Sequence, residues 1–317
     1  MIRTRFAPSP TGDLHLGGAW TALASWVLAR RAGGEFVVRV EDLDPPRTIR
    51  GSAERIADDL AWLGLGWDEG PGVPRERALH APYVQSARGA LYTAVLDDFG
   101  RRGLTYPCDC SRAEIARAAS APHPGEETPY PGTCRDRDPA RAMKREPALR
   151  LRVPEGTRIR VADAGLGAIV QDVSVECGDF VLRRGDGVFA YQLAVIVDDL
   201  AMGITDVVRG ADLAASTPRQ VLLARLLGGE PPRYAHLPLV VASDGSRLAK
   251  RTGGASVRAL REAGIDAREV VGRLAQGLGL AGDGGARAPS ELLASPAAHW
   301  PRESWRVPRE WAHVAAK

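Results

Sequence analysis

Residues 2–63 alternate between two periodicities, and that alternation restricts the fold more than any other feature of the chain. Residues 2–6 alternate apolar and polar side chains. Ala7-Pro8-Ser9-Pro10-Thr11-Gly12 closes them, so they read as a strand running into a loop. Trp20, Leu23, Ala24, Val27 and Leu28 then recur at helical spacing until Gly33-Gly34 stops the helix. Residues 36–40 read as a second strand. Ser52 is expected to cap a helix that carries Ile56, Leu60 and Leu63 on one face. Strand, helix, strand, helix is the pattern of a parallel sheet with crossover helices. The expected fold is therefore α/β, with a doubly wound parallel sheet.

A third helix is expected over residues 83–101. The texture then changes. Residues 105–187 hold all four cysteines, many prolines and short strand-like runs such as 149–153, which reads as an insertion with a small fold of its own. From Tyr191 the parallel-sheet texture returns, and the apolar run 192–197 suits a strand buried on both faces. Thr217-Pro218-Arg219-Gln220 should open a helix: Thr217 caps, Pro218 takes the first position and Gln220 closes a capping box. After residue 256 two helices and a tail with proline and tryptophan are expected. The expected division is a catalytic unit in two halves, 1–104 and 188–255, an inserted subdomain over 105–187, and a short helical segment over 256–317.

A chain of 317 residues with 44% hydrophobic content can bury a substantial core. No apolar run approaches the roughly 18 residues of a membrane span, and the start MIRTRFAPSPTG lacks the apolar centre of a signal peptide. A cytoplasmic monomer with no membrane partner is expected. The formal charge of +3 permits a nucleic-acid partner without requiring one.

The segment Arg5 to Gly12, followed by His15-Leu16-Gly17-Gly18, lies between the first strand and the first helix. A helix N-terminus offers free N–H groups and positive potential to phosphates, and glycines allow close approach to the backbone. A second basic string, Arg247-Leu248-Ala249-Lys250-Arg251, follows the apolar run 237–241. Of 42 basic residues only Lys144, Lys250 and Lys317 are lysines, so a lysine within a motif stands out. A compact ammonium suits the neutralisation of phosphates.

The first string resembles the first signature of class I aminoacyl-tRNA synthetases in its glutamyl form, with Gly18 in place of the final His of His-Ile-Gly-His. The likeness extends over residues 2–255 through Glu41-Asp42-Leu43-Asp44, the stretch from Tyr191 to Asp199, and Asp206-Val207-Val208-Arg209-Gly210. The second string matches Lys-Met-Ser-Lys-Ser at Lys250, with Arg247, Ala249 and Arg251 as departures. The resemblance implies a Rossmann-type catalytic domain. It implies that His15, Gly17, Gly18 and Lys250 bind ATP with its Mg2+, His15 and Lys250 being catalytic. It implies that L-glutamate is held by Arg5 and Arg209 on carboxylate groups, Glu41 on the ammonium and Tyr191 by a hydrogen bond. Phe6, Ala7, Pro8 and Ser9 are expected in the same pocket. A planar guanidinium forking onto a carboxylate suits that assignment.

Cys108, Cys110 and Cys134 lie close in sequence. Three such thiols suit a structural zinc site better than disulfides. His123 and Cys177 are both candidates for a fourth ligand. The Tyr130-Pro-Gly-Thr-Cys134 spacing resembles a subgroup, the glutamyl-queuosine tRNA(Asp) synthetases, and this resemblance implies Tyr130 as the ligand instead. A glutamyl-tRNA synthetase is expected to continue past the second signature into a large helical anticodon-binding domain. Here residues 252–317 follow, so the chain resembles a catalytic core without that domain. The resemblance implies glutamate activation without cognate tRNA(Glu), followed by transfer to queuosine in the anticodon of tRNA(Asp). A glutamyl-tRNA synthetase charging a 3′ end, a nucleotidyltransferase acting on another small acid, and an inactive RNA-binding paralogue remain alternatives.

Overall fold

The first two strands pair in parallel through a crossover helix. β1 (Arg3–Phe6) lies beside β2 (Glu35–Val38), with Arg3 opposite Glu35 and Phe6 opposite Val38, and α1 (Leu16–Arg31) makes the connection. The computed structural model describes residues 1–118, 129–245, 256–294 and 300–312. After α2 (Ser52–Trp62) and α3 (Gly89–Arg101) the chain enters the insertion. There β3 (Thr105–Cys108), β4 (Ala148–Leu151) and β7 (Val181–Arg183) form an antiparallel three-stranded sheet with the short helix α4 (Arg112–Ala118). The hairpin of β5 (Arg158–Asp163) and β6 (Gly167–Asp172), with α5 (Val173–Glu176) after it, instead joins the main sheet. Then come α6 (Tyr191–Ala201), β8 (Asp206–Gly210), α7 (Thr217–Leu226), β9 (Arg233–Leu237), α8 (Val257–Glu262), α9 (Ala267–Gly277) and α10 (Arg309–Ala312). The main sheet has the order β2-β1-β8-β9-β5-β6, parallel up to β5 and antiparallel at β6.

Two apolar cores lie on opposite faces of this sheet, because successive strand residues point to opposite sides. Phe36, Val38, Val208, Ala235 and Leu237 face α1, α2, α9 and the C-terminal tail. Val37, Val207, Tyr234, Ile159 and Val161 face α3, α6 and α7. The doubly wound α/β expectation therefore holds. The tail closes the first face: Trp311 is buried, and Trp305 meets Trp20 edge-on at 5.7 Å. No helix among the described residues is long and apolar enough to cross a membrane.

Four local expectations are corrected. The run 192–197, read as a strand, lies within α6. Leu193 to Val197 are all buried, and a run buried all round carries no period to separate strand from helix. Ser52 does not cap α2; Gly51 does, at φ 75°. The Ser52 hydroxyl donates to the Gly12 carbonyl at 2.5 Å and accepts the Gly12 N–H at 3.2 Å, so it ties down the signature loop. Thr217 and Gln220 form no capping box. Ser216 precedes α7, the Thr217 hydroxyl accepts from Arg209, and Gln220 bonds Gln192 of α6. The helix expected over 83–101 begins only at Gly89. Val84 pairs with Val40, and a tight turn over Gln85–Arg88 precedes the helix.

Charge is concentrated on the α6 face of the sheet. Asp198 is fully buried and accepts from Gln85 Nε2 at 2.8 Å, Arg88 Nε at 2.5 Å and the Tyr92 hydroxyl at 2.8 Å. Arg39, also fully buried, lies 3.6 Å from it through Nε. Removing one partner of a buried ion pair strands the other, at a cost of about 3–5 kcal/mol. Asp198→Ala is expected to destabilise the protein by ~3 kcal/mol or more, from the same cause, in urea unfolding with an unchanged m-value. A loss below ~1 kcal/mol would show that Asp198 does not hold these helices together.

Candidate active site and cysteine cluster

The loop between β1 and α1 is laced to the segment after β2. Arg39 N–H donates to the Phe6 carbonyl and Glu41 N–H to the Pro8 carbonyl, each at 3.0 Å, and Ile49 N–H donates to Pro10. These bonds place Glu41 beside the carboxyl end of β1. Phe6 is buried in the first core, Ala7 and Pro8 are half-buried, and Ser9 is exposed. His15 sits at the cap position of α1, and its Nδ1 accepts the Gly18 N–H at 3.0 Å. That bond assigns the ring proton to Nε2, a donor at the mouth of a helix N-terminus. A Cβ at Gly18 would fall 2.9 Å from Leu14 Cδ1, so this position holds the helix start close to the loop.

The predicted glutamate residues converge at the carboxyl ends of β1, β2 and β8. Arg5 and Arg209 are buried. Arg5 Nε lies 3.4 Å from Asp199 Oδ1, which also accepts Arg39 Nη1 at 2.8 Å. Arg39 Nη2 reaches Glu41 Oε1 at 3.1 Å. Burial pushes the Glu41 carboxyl up, against the pull of Arg39 and Arg5. Burial works the same way on Asp199, but there Arg5 and Arg39 win and hold it below the usual carboxylate range. Arg209 Nη1 lies 3.3 Å from the Tyr191 hydroxyl. Burial raises the Tyr191 phenol, so it stays protonated and able to donate or accept. Two guanidiniums and a carboxylate thus share one partly water-excluded corner.

Further buried groups hold this corner in place, and the sequence did not single them out. The His236 ring is fully buried, with Nδ1 2.6 Å from Asp163 Oδ2 and Nε2 3.0 Å from Arg209 Nε. Asp199 and Arg39 were not singled out either. Arg39 carried a signal, being a charged residue inside the apolar strand run 36–40. His236 carried none, because Asp163 comes from the insertion and 73 positions separate the pair.

In the insertion the three thiols come together. Their sulfur atoms all lie within 4.8 Å of one another, with Cys110 and Cys134 3.5 Å apart. The Tyr130 hydroxyl is 3.3 Å from Cys108 Sγ and 3.7 Å from Cys110 Sγ, and it accepts the Cys134 N–H at 2.8 Å. Ligands of tetrahedral zinc, with sulfur at ~2.3 Å and oxygen at ~2.0 Å, stand roughly 3.5–3.8 Å apart. The separations of 3.3, 3.5 and 3.7 Å lie near that figure. Burial pushes Cys110 up to about 11. At Cys108 burial is outweighed by the Tyr130 hydroxyl, the Cys110 N–H and Arg150, which hold the thiol below its usual value. Arg150 lies over the Tyr130 ring at 3.7 Å and Arg141 Nη2 is 3.5 Å from Cys134 Sγ, so two cations flank the thiols. Cys177 stands apart; its carbonyl accepts the Tyr130 N–H. His123 lies outside the described residues.

Arg247, Lys250 and Arg251 also lie outside the described residues. The chain on either side is placed: Val240 lies against Gly17, and Ser256 bridges to His15.

The chain matches the family model of class I tRNA synthetases (E and Q), catalytic domain, over residues 1–282. It is 50% identical over 300 residues to a glutamyl-Q tRNA(Asp) synthetase of Nitratidesulfovibrio vulgaris, covering 92% of this chain and 91% of that one. It is 47% identical over 319 residues to one of Symbiobacterium thermophilum, covering 98% and 97%. A glutamate tRNA ligase of Elizabethkingia meningosepticum, solved in complex with its amino acid, superposes with a TM-score of 0.82 at 28% identity, covering 98% of this chain and 68% of that one.

Burial, aided by Arg209, holds His236 below the ordinary histidine range despite Asp163. The unfolded chain takes up this proton near pH ~6.5, whereas the folded chain takes it up only at lower pH. Within that interval the unfolded state binds more protons, so stability falls as the pH drops. His236→Gln is expected to flatten the loss of stability as the pH falls below about 6.5 in urea titrations. Identical slopes for the two proteins would mean that His236 titrates normally.

Proposed function

Because the chain belongs to the class I tRNA synthetases (E and Q), as an enzyme of the ligase type, we propose that it activates L-glutamate with ATP and passes it to queuosine in the anticodon of tRNA(Asp). The observation that carries the amino-acid half is the pair of buried guanidiniums, Arg5 and Arg209, beside Glu41 at the carboxyl ends of parallel strands. The acceptor half rests on relatives of nearly equal length that bear that specificity in their names.

In the first step a glutamate α-carboxylate oxygen attacks the α-phosphorus of ATP. The bond to the bridging oxygen breaks, and glutamyl-adenylate and pyrophosphate result. No enzyme nucleophile is needed; the chain positions the reactants and stabilises charge. Arg5 and Arg209 hold carboxylate groups, Tyr191 adds a hydrogen bond, and Glu41 ionises against the substrate ammonium. His15 Nε2–H and the start of α1, with Gly17 and Gly18, meet the phosphates. Lys250 brings a further cation, and the Mg2+ carried by ATP neutralises phosphate charge. In the second step a hydroxyl of the queuosine cyclopentene diol attacks the glutamyl carbonyl carbon, and AMP leaves with the electron pair of the broken anhydride bond. A tRNA substrate makes the cytoplasm the place of this reaction. Cys108, Cys110, Tyr130 and Cys134 would hold a structural zinc; four protein ligands leave no open position for water.

Adenylate is expected to form without any tRNA, seen as glutamate-dependent ATP–pyrophosphate exchange. Labelled glutamate should pass to queuosine-containing tRNA(Asp) and not to the same tRNA with guanosine at the wobble position. Trimming the 3′-terminal adenosine should leave transfer intact. Charging of unmodified tRNA(Glu) that disappears on trimming would establish an ordinary glutamyl-tRNA synthetase instead.

About one zinc per chain is expected by metal analysis of the purified protein, lost in the Cys108→Ser, Cys110→Ser double variant and held more weakly in Tyr130→Phe. Full zinc affinity in Tyr130→Phe would remove the phenol from the ligand set.

A further inference from the structure

We propose that His236, with Asp163 behind it, is a positioning residue that orients Arg209 and so sets the preference of the pocket for a carboxylate over an amide. The proposal deepens the reading of Arg209 as a glutamate ligand and rests on that reading.

Arg209 Nε–H points at His236 Nε2 (3.0 Å), and Nη2 donates to the Thr217 hydroxyl (2.8 Å). His236 Nε2 and Thr217 Oγ1 are themselves 3.3 Å apart, so together they close the Nε–Nη2 edge. The Nη1 edge is the one that faces the Tyr191 hydroxyl. Nη2 also makes a long contact with the Leu213 carbonyl (3.4 Å), so a guanidinium locked in this way offers the pocket its Nη1 N–H groups and, once that contact is displaced, a parallel Nη2 N–H, which a carboxylate accepts with both oxygens. An amide presents one acceptor and turns its own N–H groups toward the arginine donors.

The lock depends on the tautomer of His236. Its Nε2 can accept from Arg209 only when the ring is neutral with its proton on Nδ1. Asp163 enforces this by taking the Nδ1–H at 2.6 Å. Asp163 is itself fixed: its Oδ1 accepts the N–H groups of Gly165 at 2.9 Å, Leu166 at 2.8 Å and His236 at 3.1 Å. The turn between β5 and β6 presses so closely on β9 that a Cβ at Gly165 would lie 2.0 Å from the His236 carbonyl oxygen. Around the ring stand Asp163 from β5, Arg209 from β8, Arg5 from β1 and Tyr234 from β9 itself, the last stacked at 6.0 Å. Protonation of His236 would set an N–H against the Arg209 N–H and a second cation beside the guanidinium. Burial and Arg209 oppose that protonation near neutral pH.

The test is steady-state pyrophosphate exchange with wild type, His236→Leu and His236→Gln. His236→Leu is expected to raise the KM for glutamate roughly tenfold or more, since a hydrogen bond to a charged group is lost, and to narrow the preference for glutamate over glutamine. The KM for ATP should stay within about twofold, because ATP does not meet this edge of Arg209. His236→Gln places an amide oxygen near the position of Nε2 and should recover most of the loss. Equal changes in both KM values, or none in either, would overturn the proposal. Should His236→Leu fail to fold, Thr217→Val and the wild-type pH profile decide it. Both should raise the glutamate KM selectively, the second only as the pH falls below about 6.5. An unmoved glutamate KM in both overturns the assignment. A wild type inactive with glutamate would overturn the proposed function and this inference with it, whereas an active wild type with unmoved variants would overturn only the inference.

Discussion

Two adjacent buried carboxylates at the end of α6 organise the charged face of the sheet. Asp198 gathers Arg88, Gln85, Tyr92 and Arg39, and Asp199 gathers Arg39 and Arg5. Charges removed from water are costly unless each meets an opposite charge and hydrogen bonds as well. Here one helix supplies the anions, and β1, the segment after β2 and the turn before α3 supply the cations. The strands and helices cannot shift relative to one another without stranding a charge. This constraint fixes Arg5 at the carboxyl end of β1 and, through Arg39, places Glu41 beside it.

The candidate site inherits that rigidity. Its two halves lie at the carboxyl ends of β1 and β8, where parallel strands of an open sheet converge on a crevice. The half proposed to meet the phosphates is built from the α1 N-terminus, capped by His15 and tied through Ser52 to Gly12. The amino-acid half is built from paired charges. Catalysis of adenylate formation asks for positioned reactants and fixed dipoles rather than an enzyme nucleophile, and a network already locked before substrate arrives meets that requirement.

The insertion carries two separate features. Its three-stranded sheet carries the cysteine and tyrosine cluster at a distance from the glutamate corner. Its hairpin, by contrast, pairs with β9 and delivers Asp163 to His236. One stretch of chain therefore supplies both the cysteine and tyrosine cluster and the aspartate behind His236.

The alternation of strand and helix periods over residues 2–63 determined the parallel α/β core, because period reports which side chains face a common interior. Motifs that resemble the class I synthetase signatures marked His15, Gly17, Gly18, Arg5, Glu41 and Arg209, the close cysteine spacing marked Cys108, Cys110 and Cys134, and Tyr130 was implied only by the resemblance to a subgroup. These are local patterns, legible because neighbours in the chain remain neighbours in space. The helical state of 191–201 was not legible, since a segment buried on every side has no polar face to set its period. Nor were the roles of Ser52 and Thr217, whose hydroxyls suit helix caps but are drawn to Gly12 and Arg209 once the chain has folded. The pairings of Asp199 with Arg5 and of Asp163 with His236 join positions 194 and 73 apart, and only the packed sheet, which brings distant strand ends together out of water, decides them.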